Sequence, residues 1–430
     1  MKLEFHTFGC KVNTYDTGLM QKSLASHTIN QTDSVMVVNT CAVTGEATKD
    51  AIKWIKKYKK NHPDKKIVVT GCSAQVDTEK FTQLNEVDLI VANSHKGELQ
   101  QLIQEMLAGR SLQKIYKSNI FKKLDLEPGG GEEDLHTRSF VKIQDGCNSF
   151  CTYCVIPFAR GKSRSLPAES IVSKINELSA KGIKEVVLTG VHIGDYADKT
   201  APHLEALLKK ILKETKISRL RLTSIEPVEL TAELLEIYTD ERMCKHFHMS
   251  IQSANSKVLK DMKRNYSHKE VESSLNSIHK HFSEAYVGMD VIVGFPGENQ
   301  DDFADTYTRL DQLPWTRIHV FPYSSRPGTY AARLPQQWER GEIVARARRL
   351  RELSYQRSLS KAQEQVGQHK QVLVLASGKK GMARDYWSVD LSEQVQRMFK
   401  VGSEIPVKIT AVQTTNNKAL EPRLLGTLWK

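Results

Sequence analysis

Apolar runs alternate with helix-like segments over the first hundred residues. The apolar runs lie at 3–8, 35–38, 67–69 and 89–91, and helical patterns include 47–60, 78–84 and 98–107. Strands that alternate with helices are typical of a parallel α/β sheet. The pattern therefore predicts an α/β domain with a parallel sheet over residues 1–110.

The character of the chain changes over residues 111–137. This stretch contains a PGGG turn at 128–131 and an acidic run directly after it. Glycine and proline interrupt regular structure, and a charged run favours an extended chain. We expect a linker between two domains here.

A second alternating series follows. Strand patterns lie at 140–143, 185–188, 219–223, 246–251, 286–293 and 317–321, and helical patterns lie between them, as at 167–181 and 203–215. Six strand–helix repeats predict a partial (β/α)6 barrel, similar to an incomplete TIM barrel, over residues 138–361.

The end of the chain has a different pattern again. Residues 336–361 form one basic helical pattern, and short strand-like segments separated by turns follow it. Such a pattern is typical of a small all-β barrel, which we place at residues 362–430.

Composition narrows the class of partner. The 430 residues carry a net charge of +12, which favours a polyanion, with RNA or DNA first. No apolar stretch of about 18 residues occurs, so we expect no membrane span. The first residues lack the pattern of a secretory signal, and we expect a cytoplasmic protein.

Cysteine usage points to metal or redox chemistry. Seven cysteines, an odd number in a chain without a leader pattern, argue against a disulfide framework. Six of them form two patterned groups. The seventh, Cys244, has no partner pattern, and we expect a buried thiol there.

The first group, the loop trio, consists of Cys147, Cys151 and Cys154. Their C-x3-C-x2-C spacing directly follows a predicted strand. Three thiolates on one loop can hold three irons of a 4Fe–4S cluster and leave the fourth iron open to a small chelating molecule. Zinc is the alternative, but a zinc site needs a further Cys or His, and none is evident nearby.

The second group, the strand-end trio, consists of Cys10, Cys41 and Cys72. They recur at intervals of 31 residues, each after an apolar run. In a parallel sheet this places all three at the carboxyl edge, where ligands bind. The group predicts a second 4Fe–4S cluster, and three ordinary core cysteines are the alternative.

The loop trio resembles the motif of the radical S-adenosylmethionine (SAM) superfamily. This resemblance implies that SAM chelates the open iron and is cleaved reductively to a 5′-deoxyadenosyl radical. It also implies SAM contacts from the loops after the barrel strands. The candidates are Gly190, Ser224, Glu226, Gln252, Arg264 and Gly294.

The two trios together resemble the methylthiotransferase family over almost the whole chain. That family combines an N-terminal domain holding a second cluster, a radical SAM domain and a C-terminal TRAM barrel that binds RNA. The resemblance implies that sulfur carried at the second cluster is methylated by one SAM and joined to a carbon radical made with another.

The segment GCKVN at 9–13 resembles the bacterial branch that acts on N6-threonylcarbamoyladenosine in tRNA. A sister branch with Gln-Met-Asn after this cysteine acts on isopentenyl-type adenosine, and one with Pro-Lys-Asn acts on a ribosomal protein. We therefore expect methylthiolation of C2 of N6-threonylcarbamoyladenosine at position 37 of tRNA. The implied partners are the tRNA anticodon loop, SAM, an electron donor and a sulfur source.

Two basic segments, 53–66 and 346–357, are candidates for binding RNA phosphates, and Tyr386 and Trp387 either stack on bases or pack in a core. The alternatives to the expected enzyme are the two sister substrates, a redox sensor, and a metal-stabilised RNA-binding protein without catalytic activity.

Overall fold

A computed structural model describes residues 2–25, 34–110, 113–126, 137–414 and 421–429. The PGGG turn and acidic run of the predicted linker lie outside these residues. Within them, no helix combines the length and the apolar character needed to cross a membrane.

The N-terminal unit is a parallel sheet with the strand order β1-β2-β3-β4-β5. Strands β2, β3 and β4 are almost wholly buried, as expected for a sheet covered on both faces. The elements are β1 (Lys2–Thr7), α1 (Lys11–Ala25), β2 (Ser34–Thr40), α2 (Gly45–Asn61), β3 (Lys66–Gly71), α3 (Cys72–Val76), α4 (Thr78–Thr82), β4 (Leu89–Ala92), α5 (Leu99–Leu107) and β5 (Ile115–Tyr116).

The sequence pattern did not indicate α1, α3 or β5. Helix α1 packs against the first strand of the next unit. Strand β5 pairs with β4 inside the stretch expected to be a linker.

The central unit is a partial barrel of parallel strands. Its elements are β6 (Arg138–Lys142), β7 (Gln144–Asp145), α6 (Ile156–Arg160), β8 (Arg164–Ser165), α7 (Ala168–Ala180), β9 (Glu185–Thr189), α8 (Leu204–Glu214), β10 (Arg219–Leu222), β11 (Ser224–Ile225), α9 (Ala232–Ile237), β12 (His246–Gln252), α10 (Ser256–Asp261), α11 (His268–His281), β13 (Tyr286–Val293), α12 (Gln300–Gln312), β14 (Arg317–Pro322) and α13 (Arg340–Gln363). The sheets β6-β9-β10 and β11-β12-β13-β14 follow one another around it.

Side chains along the barrel strands alternate between an apolar layer under the helices and the polar interior of the barrel. On β10, Leu220 and Leu222 belong to the large core that also includes side chains of the surrounding helices. The intervening Arg221 faces a cavity inside the barrel. Strand side chains alternate between the two faces of a sheet, so the neighbouring strands repeat this division.

The C-terminal unit is a closed barrel with the order β15-β16-β17-β19-β18, and the predicted small all-β barrel is confirmed. Trp387 packs in its core, which confirms core packing for that residue, and Tyr386 is buried at the contact with the partial barrel, beside Glu185 and Arg221. The elements are β15 (His369–Val374), β16 (Lys380–Ala383), β17 (Ser388–Leu391), α14 (Glu393–Met398), β18 (Glu404–Gln413) and β19 (Arg423–Leu428).

The small barrel closes the amino-terminal end of the partial barrel. Arg219, the first residue of β10, is fully buried and lies between Glu185 and Glu404, at 2.8 and 3.0 Å. The Tyr386 hydroxyl also donates to Glu185. The carboxyl-terminal end of the partial barrel is therefore the end left for a ligand.

Candidate active site

All six patterned cysteines line one cavity of about 640 Å³. It lies between the carboxyl edge of the N-terminal sheet and the carboxyl-terminal end of the partial barrel. Parallel strands bring the loops that follow them to one edge, which is where open α/β sheets and barrels place ligands. Two groups separated by 75 residues of sequence (from Cys72 to Cys147) thus face a common space.

The loop trio is shaped by short backbone hydrogen bonds. The Cys147 amide donates to the Gly161 carbonyl at 3.1 Å, and the Cys154 amide donates to the Cys151 carbonyl at 3.0 Å. The Ser149 amide points at the Cys147 sulfur at 3.4 Å. The loop is therefore folded around its sulfur atoms.

Arg264 follows α10, and it connects the loop trio to the barrel wall. Its guanidinium lies 3.2 Å from the Cys151 sulfur and 2.8 Å from Glu226, and it donates to the Ser250 carbonyl at 3.1 Å. A cation beside a thiolate ligand stabilises its charge. The same contact fixes the Glu226 carboxylate toward the cavity.

His192 is a neighbour of the loop trio that the spacing of cysteines did not reveal. Its Nδ1 lies 4.0 Å from the Cys147 sulfur, and its Nε2 lies 2.5 Å from Glu229. Burial opposes the charged imidazolium, but hydrogen bonds that His192 makes with Asp195, Cys147 and Glu229 outweigh it and raise the pKa of His192 far above its ordinary value.

Among the described residues, Cys147, His192 and Asp195 place donor atoms within 4.8 Å of one another. This group gives the zinc alternative a histidine that the sequence did not show. It uses only one cysteine of the loop trio, however, while Cys151 and Cys154 face the same cavity. An iron–sulfur cluster accounts for all three sulfur atoms, and zinc at this group does not.

The strand-end trio is assembled by sheet topology. Cys10 precedes α1, Cys41 follows β2, and Cys72 begins α3 directly after β3. A Cβ atom at Gly9 would lie 2.6 Å from the Cys41 sulfur, so the Cys10 loop passes closely against Cys41. Gly71, before Cys72, has φ of +96° and lies against the Thr40 backbone in the same way.

Asn13 ties the loops of the strand-end trio together. Its side-chain amide donates to the Phe8 and Thr40 carbonyls at 2.8 and 3.0 Å. Its side-chain oxygen accepts a 2.6 Å hydrogen bond from Arg160. Arg160 lies just beyond the loop trio, so this one contact joins the two trios.

Arg160 is also the centre of a buried ionic network between the domains. It bonds Asp145 at 2.8 Å and Asp16 at 3.2 Å, and Asp16 in turn binds Lys142 and Lys96 at 2.6 and 3.1 Å. Burial works against the charged carboxylate, but Arg160 and Lys142 lower the pKa of Asp145 to about 2. Buried charges need such pairing, so the network fixes how the two domains meet.

The donor set fits iron–sulfur clusters. All six cysteines are free thiols. Burial, followed by the neighbouring Cys72, raises the pKa of Cys41 to about 12, and burial together with Cys151 raises the pKa of Cys154 to about 12. Thiols so crowded and buried become thiolates only with a strong positive partner, which a metal centre supplies.

Five of the six residues expected to contact SAM line the cavity: Gly190, Ser224, Glu226, Gln252 and Arg264. A Cβ atom at Gly190 would lie 2.9 Å from the Gln144 side chain, so the backbone there has no room for a larger residue.

The sixth, Gly294, is not among the residues that line this cavity. A Cβ atom there would lie 2.7 Å from Ile343, and its amide donates to Glu298 at 2.7 Å. Within the described residues, its observed role is the packing of α13 against the barrel.

Lys11, the first residue of α1, is a further cavity residue that sequence reasoning left aside. It lines the cavity beside the strand-end trio and extends toward the barrel interior. Burial, followed by the nearby Arg221 and Arg138, lowers the pKa of Lys11 to about 7.

Two family models match this chain. The radical SAM superfamily matches residues 141–310, and "Uncharacterized protein family UPF0004" matches residues 2–92. The first match contains the loop trio, and the second contains the strand-end trio. The two matches therefore separate the cysteines as the structure does, with the strand-end trio in the N-terminal unit and the loop trio in the partial barrel.

Curated relatives match over nearly the whole chain. The threonylcarbamoyladenosine tRNA methylthiotransferase MtaB of Aquifex aeolicus is 37% identical over 88% of this chain and 94% of its own length. The tRNA-2-methylthio-N(6)-dimethylallyladenosine synthase of Thermodesulfovibrio yellowstonii is 29% identical over 98% of both.

A solved structure supports the fold. The radical SAM methyltransferase TsrM from Kitasatospora setae, with tryptophan and a SAM analog bound, superposes with a TM-score of 0.53 at 14% identity, covering 75% of this chain and 67% of its own. The family predicted from the cysteine segments is confirmed: the chain belongs to the radical SAM methylthiotransferase family, in the branch of the MtaB proteins.

Proposed function

We propose that this protein is a transferase that adds a methylthio group to C2 of N6-threonylcarbamoyladenosine at position 37 of tRNA, converting it to the 2-methylthio derivative. The observation that carries the proposal is the single cavity lined by both cysteine trios. Two reacting groups must be held close together for a radical on one to meet sulfur on the other.

Each trio has a distinct part in this proposal. Cys147, Cys151 and Cys154 would hold one 4Fe–4S cluster, and Cys10, Cys41 and Cys72 would hold a second. When bound, the clusters and SAM supply the radical and the sulfur that the side chains of the protein cannot supply. An aromatic C–H bond has no acidic proton, so acid–base catalysis by side chains alone would not open it.

The residues of the chain then bind SAM, orient it and enclose the reaction site. Arg264 holds Glu226 at 2.8 Å, which presents a carboxylate to the polar groups of SAM. Gly190 leaves backbone exposed to the cofactor at the cavity wall. The N-terminal sheet covers the open end of the barrel and limits the access of water to a reactive intermediate.

The target base must leave its stack to reach the cavity, and an anticodon loop permits this at modest cost. The two basic segments contribute unequally to binding. In segment 346–357, Arg346 is buried against Glu298, and Arg357 donates to the Leu313 carbonyl. Exposed lysines of α2, such as Lys53 and Lys56, are better placed for phosphate contacts.

The same proposal includes an electron donor and a sulfur source, which the reaction requires, and a cytoplasmic location, where tRNA and a reducing environment are both present.

The test is nucleoside mass spectrometry of tRNA from cells with the gene, without it, and with it restored. We expect 2-methylthio-N6-threonylcarbamoyladenosine to disappear and to return, while its unmethylthiolated precursor accumulates. Loss of the isopentenyl-type methylthio nucleoside instead would place the enzyme in the sister branch. No change in either nucleoside would contradict the proposal.

A further inference from the structure

The interior of the partial barrel forms a chamber below the cysteines. It has a volume of about 390 Å³ and shares Lys11, Arg221, His248 and Asp290 with the cavity that holds both trios. A group bound between the trios can therefore extend a substituent into this chamber.

Lys11 forms no direct ion pair in the chamber, and the carboxylate of Asp290 acts on it only through space. Within the part of the chain that the structure describes, no hydrogen-bond acceptor or carboxylate lies within contact distance of its ammonium. A cation at the first residue of a helix is also disfavoured by the helix dipole. The position of Lys11 therefore does not serve the stability of α1.

Arg221 is a second cation that can still bind an anion. It is buried, stacks on the Tyr386 ring at 4.2 Å and lies 3.2 Å from the His246 ring. Among the described residues, no carboxylate forms an ion pair with it. A buried guanidinium without an anion is costly, unless a ligand supplies one.

The two acidic groups of the chamber are engaged elsewhere. Asp290 pairs with the His248 Nε2 at 2.9 Å. Glu421 accepts a hydrogen bond from the Tyr286 hydroxyl at 3.0 Å. Neither carboxylate forms an ion pair with Lys11 or Arg221 among the described residues, so both cations can contact an anionic group of a ligand.

A glycine of β13 lies beside two histidines of the chamber. Gly288 lies on the inner face of β13, and a Cβ atom there would meet His248 and His319 only at 3.5 and 3.9 Å. The glycine lets His248 and His319, which line the chamber, pack against β13 at ordinary contact distance.

The geometry points to Lys11 and Arg221 as the pair that binds the threonine carboxylate of the substrate's threonylcarbamoyl group. This assignment rests on the proposed function. The substituent on N6 extends away from C2, so the group that binds it belongs beyond the cysteines. Charge-assisted hydrogen bonds to a carboxylate in a low-dielectric site are among the stronger ones.

SAM also carries a carboxylate, and it is the competing occupant. The residues that face SAM in the proposal, such as Glu226 and Arg264, lie at the strand ends beside the loop trio. Neither of them lines the lower chamber. The chamber is therefore assigned to the RNA substituent, and the experiment separates the two.

The test measures RNA binding by the reconstituted holoprotein under anaerobic conditions. One anticodon stem-loop carries N6-threonylcarbamoyladenosine, a second carries its methyl ester, and a third carries unmodified adenosine. We expect wild-type protein to bind the acid about ten- to hundred-fold more tightly than the ester, the range for a charge-assisted contact. The ester probe requires no variant to fold.

Variants then locate the contact. Lys11→Gln and Arg221→Gln are each expected to reduce the acid-to-ester preference by about five-fold or more, while Lys11→Arg retains it. Lys213→Gln, an exposed lysine of α8, is the matched control and keeps the wild-type ratio. SAM affinity, measured by equilibrium dialysis, stays unchanged in all four.

Three results would overturn the assignment. The first is a wild-type protein that binds acid and ester equally. The second is a Lys11→Gln protein that keeps the full preference, and the third is one that loses SAM affinity instead. If wild-type protein converts the acid substrate to its methylthio product, only the carboxylate assignment has failed. If it makes no such product from any threonylcarbamoyl RNA, the proposed function has failed as well.

Discussion

The two cysteine trios reach the same cavity by different routes. The loop trio lies on one short loop, with hydrogen bonds within that loop and to Gly161, and the backbone of Thr152 between its cysteines is held by Met262 and Ala331. The strand-end trio comes from three loops that follow β1, β2 and β3. One site is a property of local chain geometry, and the other is a property of the sheet.

The two trios are therefore expected to differ in their tolerance of substitutions elsewhere in the protein. A local loop keeps its spacing as long as its few supporting contacts persist. The strand-end trio depends on the register of three strands, on the close passage at Gly9 and Gly71, and on Asn13. We therefore expect changes remote from the cysteines to affect the strand-end trio more than the loop trio.

The largest expected effect separates the trios directly. Replacement of Cys147, Cys151 and Cys154 by Ala should remove about half the iron and all reductive cleavage of SAM, because each cluster depends on its own thiolates. Iron analysis and chromatographic detection of 5′-deoxyadenosine are the measurements. Continued formation of 5′-deoxyadenosine by this variant would show that the loop trio is not the site of cleavage.

Replacement of Cys10, Cys41 and Cys72 by Ala should give the complementary result. About half the iron is again lost, but cleavage of SAM persists, because the loop trio is intact. Formation of the methylthio product on RNA falls below detection. The Cys244→Ala variant, in which a buried unpatterned thiol is removed, is the control and keeps both activities. Normal product from the strand-end variant would rule out a role for the second site.

Both cysteine sites could be predicted from the sequence because each is marked by a simple pattern. The loop trio follows from spacing, and the strand-end trio follows from the repeated position of Cys after an apolar run. The barrel strands were also found, and the pattern at 286–293 coincides with β13. Buried parallel strands are continuous apolar runs, which are the strongest signal a sequence offers.

Helix α1 was missed for a physical reason. Its buried face mixes the polar Asn13, Asp16 and Thr17 with apolar side chains, so polar positions interrupt the apolar stripe by which a helix is recognised. Asn13 and Asp16 are buried because they bind Arg160 from another domain, and Asp16 also binds Lys142. A contact with a residue that is distant in the sequence leaves no periodic pattern. Lys11 and His192 were not predicted as site residues for the same reason.

Arg160→Met would test whether the trios depend on their shared network. Removal of the guanidinium leaves Asp16 and Asp145 with less compensation in a buried site, and we expect a loss of about 3–5 kcal/mol in the free energy of unfolding. Urea unfolding measures this loss. The exposed neighbour Lys162→Met is the control and should change stability by less than about 0.5 kcal/mol.

Iron content of Arg160→Met sharpens the comparison. Arg160 contacts Asn13, which holds the loops of the strand-end trio, so the second cluster should be lost to a chelator faster than the first. Equal loss from both sites would mean that the network supports the domains as a whole and not the strand-end trio in particular.

Gly71→Ala has the most selective expected effect, because it acts on the strand-end trio alone. Gly71 has φ of +96°, and an added Cβ atom would lie 2.4 Å from the Thr40 carbonyl oxygen, directly before Cys41 and Cys72. Its positive φ combined with an extended ψ is a conformation used almost only by glycine, and it alone costs about 1–3 kcal/mol for a residue with a side chain. We expect the strand-end cluster to be depleted while 5′-deoxyadenosine formation continues.

Gly182→Ala separates backbone strain from crowding. Gly182 also has a positive φ, +86°, but no atom lies within 4 Å of an added Cβ. It should cost about 1 kcal/mol and leave both clusters in place. If Gly71→Ala lost iron no more readily than Gly182→Ala, the strand ends would have enough freedom to re-form the site. The strand-end trio would then be as tolerant as the loop trio, and the contrast between a local site and a topological one would not hold for this protein.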